Sequence, residues 1–382
     1  MNMDERLISV LVPTKNRYKY LKHLIDLVES FNDDRIELLV QDNSDDNSEI
    51  TEFLEGKSFV STKYFYSNAK LSMGGNADEA IKNSTGKYLC FIGDDDAVCR
   101  NIADCAEWMD RNDVDACRPT YLQFLWCDAQ EGKNNGWMLY DTIDGTYTFK
   151  NPLKEFKKVL RQGVPDFRDM AKFYHGIVKR ELIEKVISVG GTCCPGPTPD
   201  MSSAASIAFF IKSYAYVNIP VIIPGMSKMV GGGVMGKVLQ LEEVNFITQS
   251  VRDNWEKGFP RLWATELIWP DCALKAVDYV GHSEYRRYYN KNKTLTRLYV
   301  MHKNYFKESL HYSDNKLLFL IAFVSYYINE GSVYMMRKLK GKFNHKFNGD
   351  FDIVRGLDTI ADAETKLFEL CGKYNFDKLT IK

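Results

Sequence analysis

The first part of the chain alternates short apolar runs with segments of helical spacing. The apolar runs are Leu7–Pro13, Ile36–Val40, Lys63–Tyr66 and Tyr88–Ile92. Helical spacing from Tyr20 to Val28, a helix start at Ser48 and a helix over 77–83 separate them. Strands that alternate with helices in this way predict a mostly parallel, Rossmann-like α/β sheet.

Polar residues follow three of these predicted strands. Asn16 and Arg17 come after the first strand, Asp42 after the second, and 94–96 after the fourth. Ligands of such sheets bind outside the carboxyl ends of the strands, which share one edge. We therefore expect these side chains to converge on one crevice.

The residues after the fourth strand are three consecutive aspartates, Asp94, Asp95 and Asp96. Like charges this close repel, and burial would raise their pKa values unless a cation or strong donors compensate. Mg²⁺ and Mn²⁺ prefer such hard oxygen ligands. An acidic surface turn explains the run about as well when it is considered alone.

The rest of the chain has two parts. Residues 115–224 show no simple pattern, and from Leu239 onward the chain is mainly helical in spacing. We place the boundary at 235, with an α/β domain over 1–235 and a mainly helical region over 236–382. That second region is a candidate for acceptor, membrane or homo-oligomer contacts.

Composition limits the partners and the compartment. The 382 residues carry a net charge of -1, so no global field attracts nucleic acid, and we expect no nucleic-acid partner. Nine cysteines without a C-x-x-C pair predict a reducing, cytoplasmic location. The apolar run Leu317–Ile328 is too short to span a membrane, and the basic stretch Arg337–Lys342 follows it. Two interpretations fit this pair of segments. They make peripheral contact with the inner face of a membrane, or they are a buried helix beside an exposed charged one.

Several segments together resemble the family 2 glycosyltransferases, which are inverting enzymes with the GT-A fold. The resemblance covers roughly 7–100 and comprises, in chain order, Ser9-Val10-Leu11-Val12-Pro13-Thr14-Lys15-Asn16-Arg17, Leu39-Val40-Gln41-Asp42-Asn43-Ser44-Asp45-Asp46, Gly74-Gly75-Asn76, Ser84-Thr85-Gly86-Lys87-Tyr88-Leu89 and Asp94-Asp95-Asp96. The ordered set is far more specific than any single motif. It implies a nucleotide-sugar donor, which we expect to be UDP-linked.

The resemblance also implies roles for the matching residues. Pro13 and Thr14 would shape the turn around base and ribose, Asp42 would accept from uracil N3–H, and Arg17 would reach the diphosphate. Asn16, Asn76, Asp94 and Asp95 complete the expected nucleotide-sugar site. Asp95 and Asp96 are the expected ligands of Mn²⁺ or Mg²⁺.

An inverting transfer also needs a base that deprotonates the acceptor hydroxyl. Asp200, in Thr198-Pro199-Asp200-Met201, resembles the carboxylate that the family places after the metal site. A helix N-cap is the alternative role for Asp200. By resemblance, the acceptor is a saccharide or a polyprenyl-diphosphate-linked saccharide, used in surface polysaccharide biosynthesis.

Two other functions stay open at this point. A nucleotidyltransferase shares the sheet and the acidic site, although its early glycine-rich loop is absent after Val12. A non-catalytic nucleotide- or carbohydrate-binding module would not need Asp200.

Overall fold

The computed structural model describes residues 6–129, 136–167, 169–228, 238–245, 247–328, 351–372 and 374–382. The strands are β1 (Ile8–Thr14), β2 (Ile36–Asp42), β3 (Thr62–Tyr66), β4 (Tyr88–Phe91), β5 (Ala97–Val98), β6 (Ala116–Pro119), β7 (Leu122–Leu125), β8 (Gly136–Tyr140), β9 (Thr146–Lys150), β10 (Ile177–Lys179), β11 (Tyr214–Val217), β12 (Ile222–Ile223), β13 (Gly225–Met226), β14 (Leu239–Gln240), β15 (Leu262–Trp263), β16 (Asp352–Leu357) and β17 (Thr380–Ile381). The α-helices are α1 (Tyr18–Ser30), α2 (Ser48–Leu54), α3 (Met73–Asn83), α4 (Ile102–Arg111), α5 (Pro152–Arg161), α6 (Arg180–Gly190), α7 (Pro199–Ile207), α8 (Gln249–Asp253), α9 (Thr265–Tyr279), α10 (Lys291–Met301), α11 (Phe306–Tyr312), α12 (316–328) and α13 (Ile360–Cys371).

The central feature is a mixed sheet in the order β17-β9-β11-β6-β10-β4-β1-β2-β3. The pairs β4/β1, β1/β2 and β2/β3 are parallel, as the alternation of the first part predicts. β10 runs antiparallel to both of its neighbours, so β6 on its far side points the same way as β4. The predicted α/β fold with a mostly parallel sheet is confirmed.

The register aligns the ends of the central strands. Thr14 pairs with Asp42 across β1 and β2, and Leu11 pairs with Phe91 across β1 and β4. The carboxyl ends of β1, β2 and β4 therefore lie along one edge of the sheet, and the polar residues that follow them emerge there.

Both faces of the sheet are covered, because side chains alternate between the faces along each strand. Val10 and Val12 of β1 pack with α1, α4 and α13 on one face. Leu11 packs with α3, α6 and α7 on the other face. A third core joins α5 and α7 to α9 and α10.

The C-terminal part is mainly helical over its described residues 238–328, as predicted. The chain then returns to the first part, since β16 pairs with β8 and β17 pairs with β9. The proposed boundary at 235 lies outside the described residues, and the division into 1–235 and 236–382 stays a prediction. Among the described residues, none of the helices has the length and apolar character needed to cross a bilayer.

Candidate functional site

The turn after β1 is fastened to the turn after β2. Asn16 has a left-handed backbone (φ 59°), a conformation that asparagine tolerates better than most residues. Its side-chain amide donates to Asp45 Oδ2 at 2.8 Å, and its backbone N–H donates to Ser44 Oγ at 2.7 Å. Asn16 thus holds the loop that delivers Arg17, and in this arrangement its contacts are structural.

Arg17 lies between two of the three consecutive aspartates. Its Nη1 is 3.0 Å from Asp94 Oδ1, and its Nη2 is 2.7 Å from Asp95 Oδ2. Ser227 Oγ, in the segment after β13, donates to the same Asp95 oxygen at 2.7 Å. The arginine expected at the diphosphate is therefore a counter-ion to the carboxylates here.

Asp94 is held from β1 but keeps an excess of charge. Thr14 Oγ1 donates to Asp94 Oδ2 at 2.7 Å, which links the ends of β1 and β4. Burial, only partly offset by Arg17, raises the pKa of Asp94 to about 7. Burial and the neighbouring Asp96 also raise the pKa of Asp95. One guanidinium does not fully compensate these two carboxylates.

Asp96 is fully engaged by protein groups. Its Oδ2 contacts His175 Nε2 at 2.7 Å and accepts from the Gly93 N–H at 2.6 Å, and its Oδ1 accepts from the Gly225 N–H at 2.6 Å. Burial would raise the pKa of Asp96, but His175 and these amides outweigh burial and lower it. Both oxygens are occupied, so the structure does not present Asp96 as the open metal ligand that we expected. A ligand role for Asp96 would require His175 or Gly225 to move.

Tyr174 connects the aspartate run to Asp200. Its hydroxyl donates to Asp96 Oδ2 at 3.2 Å. Burial raises the pKa of Tyr174 far above its usual range, and the charges of Asp96, Asp95 and Asp200 raise it further. The charges of the aspartate run and of Asp200 therefore act on the same hydroxyl.

Asp200 lies in the first turn of α7, where a carboxylate interacts favourably with the helix dipole. Thr198 is the N-cap residue and Pro199 the first helical residue, so the alternative N-cap role for Asp200 is wrong. Asp200 Oδ1 accepts from Thr198 Oγ1 at 2.5 Å, and Oδ2 accepts from Trp269 Nε1 of α9 at 3.0 Å. The carboxylate is oriented by two elements and remains partly accessible.

Asp42 is the centre of a closed hydrogen-bond cluster. The hydroxyls of Tyr18 and Tyr64 both donate to its Oδ2 at 2.7 Å, and Ser44 donates to Oδ1 through its N–H and Oγ. These four donors fill the lone pairs of a carboxylate that is 0% exposed. Asp42 therefore has no free lone pair in this structure. Its acceptance of a hydrogen bond from uracil N3–H stays a prediction, and it requires a tyrosine hydroxyl to move away.

Asn76 and Pro13 support the same edge of the sheet. Asn76 on α3 donates to the carbonyls of Thr14 and Gln41 at 3.4 and 3.2 Å, so it ties the ends of β1 and β2 together. Its own carbonyl oxygen is buried without a hydrogen-bond partner among the described residues. Pro13, next to Thr14, is half-buried in β1.

A divalent cation fits the side of the crevice formed by Asp94 and Asp95. Asp94 Oδ1 is buried and its contact among the described residues is the ion pair with Arg17 at 3.0 Å, and the raised pKa values of Asp94 and Asp95 indicate that one arginine compensates their charge only in part. Among the described residues, no group of three or more acidic, histidine or cysteine side chains surrounds such a site. Mg²⁺ commonly binds through one or two carboxylates and completes its shell with substrate phosphates and water.

Sequence reasoning missed several groups that complete the site, namely Tyr174, Ser227 and Trp269. His175 has a left-handed backbone with φ 61°, which no sequence pattern predicts for this residue type. Tyr174 and His175 come from the segment before β10, and Ser227 and Trp269 come from the C-terminal half of the chain. All four are far along the chain from the aspartates that they contact.

Comparison with known proteins identifies the segment that carries the aspartates. Residues 9–174 match the sequence profile of glycosyl transferase family 2. The matched residues include Arg17, Asp94 and Tyr174, whereas Asp200 and Trp269 lie beyond them.

Individual relatives either match a shorter part of the chain or share a lower sequence identity with it. The chain is 32% identical over 94 residues to the GalNAc(5)-diNAcBac-PP-undecaprenol beta-1,3-glucosyltransferase of Campylobacter jejuni, which covers 24% of this chain and 30% of that protein. The chain thus spans under a third of this curated relative. S. aureus TarS 1-349 in complex with UDP-GlcNAc is 14% identical with a TM-score of 0.47, over 85% of this chain and 92% of that one. The same protein in complex with UDP is 16% identical with a TM-score of 0.41, over 58% of this chain and 61% of that one.

Proposed function

We propose that the protein is a metal-dependent, inverting glycosyltransferase of surface polysaccharide biosynthesis. It moves a sugar from a UDP-sugar donor to a saccharide or polyprenyl-diphosphate-linked saccharide acceptor. The observation that carries the proposal is Tyr174, whose hydroxyl donates to Asp96 and is acted on by the charges of both Asp95 and Asp200. Asp94 and Asp95, within the segment that matches family 2, carry excess negative charge that suits a metal–diphosphate. Asp200, beyond that segment, supplies an oriented carboxylate whose charge acts on the same tyrosine.

Asp200 is the proposed base. Its carboxylate accepts the proton of the acceptor hydroxyl while that oxygen attacks the anomeric carbon of the donor. The bond between the anomeric carbon and the diphosphate breaks on the opposite side, so the configuration inverts in one displacement. Hydrogen bonds from Thr198 and Trp269 hold the carboxylate in place and leave room for a further donor.

Asp95 and Asp94 are the proposed holders of Mn²⁺ or Mg²⁺, which when bound supplies Lewis-acid stabilisation of the leaving diphosphate. Arg17 lies at the same carboxylates and is positioned to exchange them for a phosphate oxygen. Thr14 keeps Asp94 in place during that exchange.

The acceptor side of the proposal includes contact with a membrane. Apolar side chains of α12 are between 46% and 64% exposed, and they are Leu317, Leu318, Leu320, Ile321, Val324, Tyr327 and Ile328. Lys303 Nζ donates to the Tyr327 hydroxyl at 3.0 Å, and Lys307 and Lys316 are also exposed nearby in sequence. An apolar helix face flanked by lysines is suited to the surface of an anionic bilayer, where a lipid-linked acceptor would reside.

Calorimetric titration of UDP, GDP and dTDP, with and without Mn²⁺, tests the proposed donor site. We expect tight binding of UDP only with the metal, and Asp95→Asn should remove the metal-dependent part. Asp113→Asn, which changes a 94% exposed acid elsewhere, is the matched control. Metal-independent binding in the wild-type protein, or unchanged metal dependence in Asp95→Asn, would contradict the assignment.

A further inference from the structure

Two neighbouring cationic side chains, Arg118 and Lys172, donate no hydrogen bond to any of the described residues. Arg118 lies near the carboxyl end of β6, on the edge of the sheet that also carries the aspartates. Its Nη1 is buried without a hydrogen-bond partner, and its contact among the described residues is the Tyr216 ring, 5.6 Å from Cζ. A buried guanidinium nitrogen without an acceptor is costly.

Lys172, in the segment before β10, is the second cation. Its Nζ lies 4.7 Å from the centre of the Phe167 ring, and it donates no hydrogen bond to a described residue. Burial and the charge of Arg118 lower the pKa of Lys172 to about 7, whereas Asp200 and Asp166 oppose that shift. Lys172 is therefore close enough to both Arg118 and Asp200 for its charge to interact with theirs.

The contacts around Lys172 lead directly to Asp200. The Phe167 ring packs edge-on against Trp269 with centroids 5.1 Å apart, and Trp269 donates to Asp200. Lys172 thus borders the proposed base, and Arg118 lies within reach of the charge of Lys172. β6 is two strands from β4, which places Arg118 about 10 Å from the end of β4.

A purely structural role does not account for the pair. Lys150, at the end of neighbouring β9, is also near the Tyr216 ring, yet it forms an ion pair with Asp169 at 2.8 Å. Lys150 thus has a carboxylate partner within the protein. Arg118 and Lys172, whose charges repel each other, have no such ion pair with a described residue. Such an arrangement is stabilised when an anion binds between them.

We propose that Arg118 and Lys172 form a subsite for an anionic substituent, a carboxylate or a phosphate, carried by the saccharide that is bound beside Asp200. This inference rests on the proposed glycosyl transfer and names the substrate class of that same site. The anion belongs either to the sugar of the donor or to the acceptor. We assign the diphosphate of the nucleotide to the proposed metal site, two strands away, and not to this pair.

Two sets of probes distinguish the sources, and both use the full chain with Mn²⁺. The donor set compares UDP-glucuronate with UDP-glucose by calorimetry. The acceptor set uses protein saturated with UDP and compares glucuronate and glucose 1-phosphate with glucose. In one set we expect the anionic probe to bind at least about 10-fold more tightly than its neutral partner.

Variants then assign the preference to the two cations. Arg118→Gln and Lys172→Gln should each reduce the preference to about 2-fold or less, and Arg118→Lys should retain part of it. UDP affinity should be unchanged in all three, which separates a subsite from general damage. Lys82→Gln, which removes an exposed lysine of α3, is the matched control.

Each outcome bears on the inference. Equal binding of anionic and neutral probes in both sets, or a preference that survives both glutamine variants, would overturn the subsite while UDP binding leaves the proposed function standing. Absence of UDP binding, with an anion preference that still depends on Arg118, would overturn the function and support the subsite. Absence of both would reject both.

Discussion

At the scale of single residues, the partners of each aspartate decide what it can do. Asp42 and Asp96 have both oxygens occupied by protein donors. Asp94 and Asp95 share one arginine and have raised pKa values. Asp200 is oriented but partly accessible. Identical side chains therefore divide into two closed ones, Asp42 and Asp96, and three to which we assign the proposed roles of cation binding (Asp94 and Asp95) and proton acceptance (Asp200).

Replacement of the proposed base tests the residue with the clearest chemical role. Asp200→Asn keeps the shape that accepts from Trp269 but removes the ability to take a proton. We expect transfer to fall by about 10²- to 10⁴-fold, with UDP affinity unchanged. Product formation with a radiolabelled UDP-sugar measures this, and Asp104→Asn in the first turn of α4 is the control. Normal turnover by Asp200→Asn would reject the base assignment.

The half-buried Lys172 gives a prediction about stability and pH. The folded protein binds fewer protons than the unfolded chain between pH 7, near the folded pKa of Lys172, and the usual lysine pKa of about 10.4. The contribution of Lys172 to the free energy of unfolding therefore rises as pH rises through that window, and it is least favourable at pH 7 and below. Arg118, Asp166 and Asp200 are the charged groups that act on it.

Lys172→Met should accordingly stabilise the protein at pH 6 by about 1–3 kcal/mol, and the gain should shrink toward pH 10. Urea unfolding at several pH values measures the difference. Lys154→Met, at an exposed position of α5, should show no such pH-dependent gain. A constant difference across pH would mean that Lys172 carries its charge in the folded protein as easily as in the unfolded chain.

At the scale of elements, short connections build the site. The segment β12–β13 passes so close to the aspartates that a Cβ on Gly225 would lie 1.7 Å from the Asp95 carbonyl oxygen. The same close approach allows the Gly225 N–H to reach Asp96. The turn before α7 similarly places Thr198 and Pro199 so that the next residue, Asp200, faces Trp269.

Gly225→Ala should therefore damage both the fold and the site. The backbone must separate from Asp95 by more than 1 Å, and we expect a loss of about 1–3 kcal/mol in the free energy of unfolding together with weaker UDP binding. Gly258→Ala is the control, because its Cβ would meet only the Lys291 side chain, at 3.5 Å or more, and one Glu256 side-chain oxygen. Thermal unfolding and calorimetry of both variants measure the effects, and wild-type behaviour of Gly225→Ala would show that this close approach is dispensable.

At the scale of the whole molecule, the last residues of the chain complete the first part. α13 places Leu367 and Ile360 in the core beneath α1 and α4. Glu364 on the same helix is 1% exposed and forms a two-pronged contact with Arg100 at 2.9 and 2.7 Å. The N-terminal core therefore depends on a segment more than 200 residues away in sequence.

Leu367→Ala should destabilise the whole protein rather than a detached tail. Deletion of a buried leucine side chain costs about 2–5 kcal/mol of unfolding free energy. Glu369→Ala, at an exposed position of the same helix, should change it by less than about 0.5 kcal/mol. Chemical unfolding followed by tryptophan fluorescence compares them, and equal stability would show that α13 does not support the core.

The exposed face of α12 gives the second prediction at this scale. Leu317→Glu combined with Ile321→Glu should reduce binding to vesicles that contain anionic phosphatidylglycerol by at least about 10-fold. Val60→Glu, which alters an apolar side chain that is 39% exposed elsewhere, is the control. Sedimentation without lipid completes the test, because self-association that the double variant abolishes would identify the face as a homo-oligomer contact instead.

The sequence alone determined the order of strands and helices over the first 95 or so residues and the edge at which the polar residues gather. These features follow from local periodicity and from the geometry of parallel sheets, which need no distant contact. Only the tertiary structure decided which oxygens remain open, because Tyr64, His175, Ser227 and Trp269 reach the aspartates from distant parts of the chain. Which charges pair and which side chains are buried depend on three-dimensional contacts and not on spacing along the sequence. The surroundings of Asp42, Asp96 and Arg118 are therefore seen only in the folded protein.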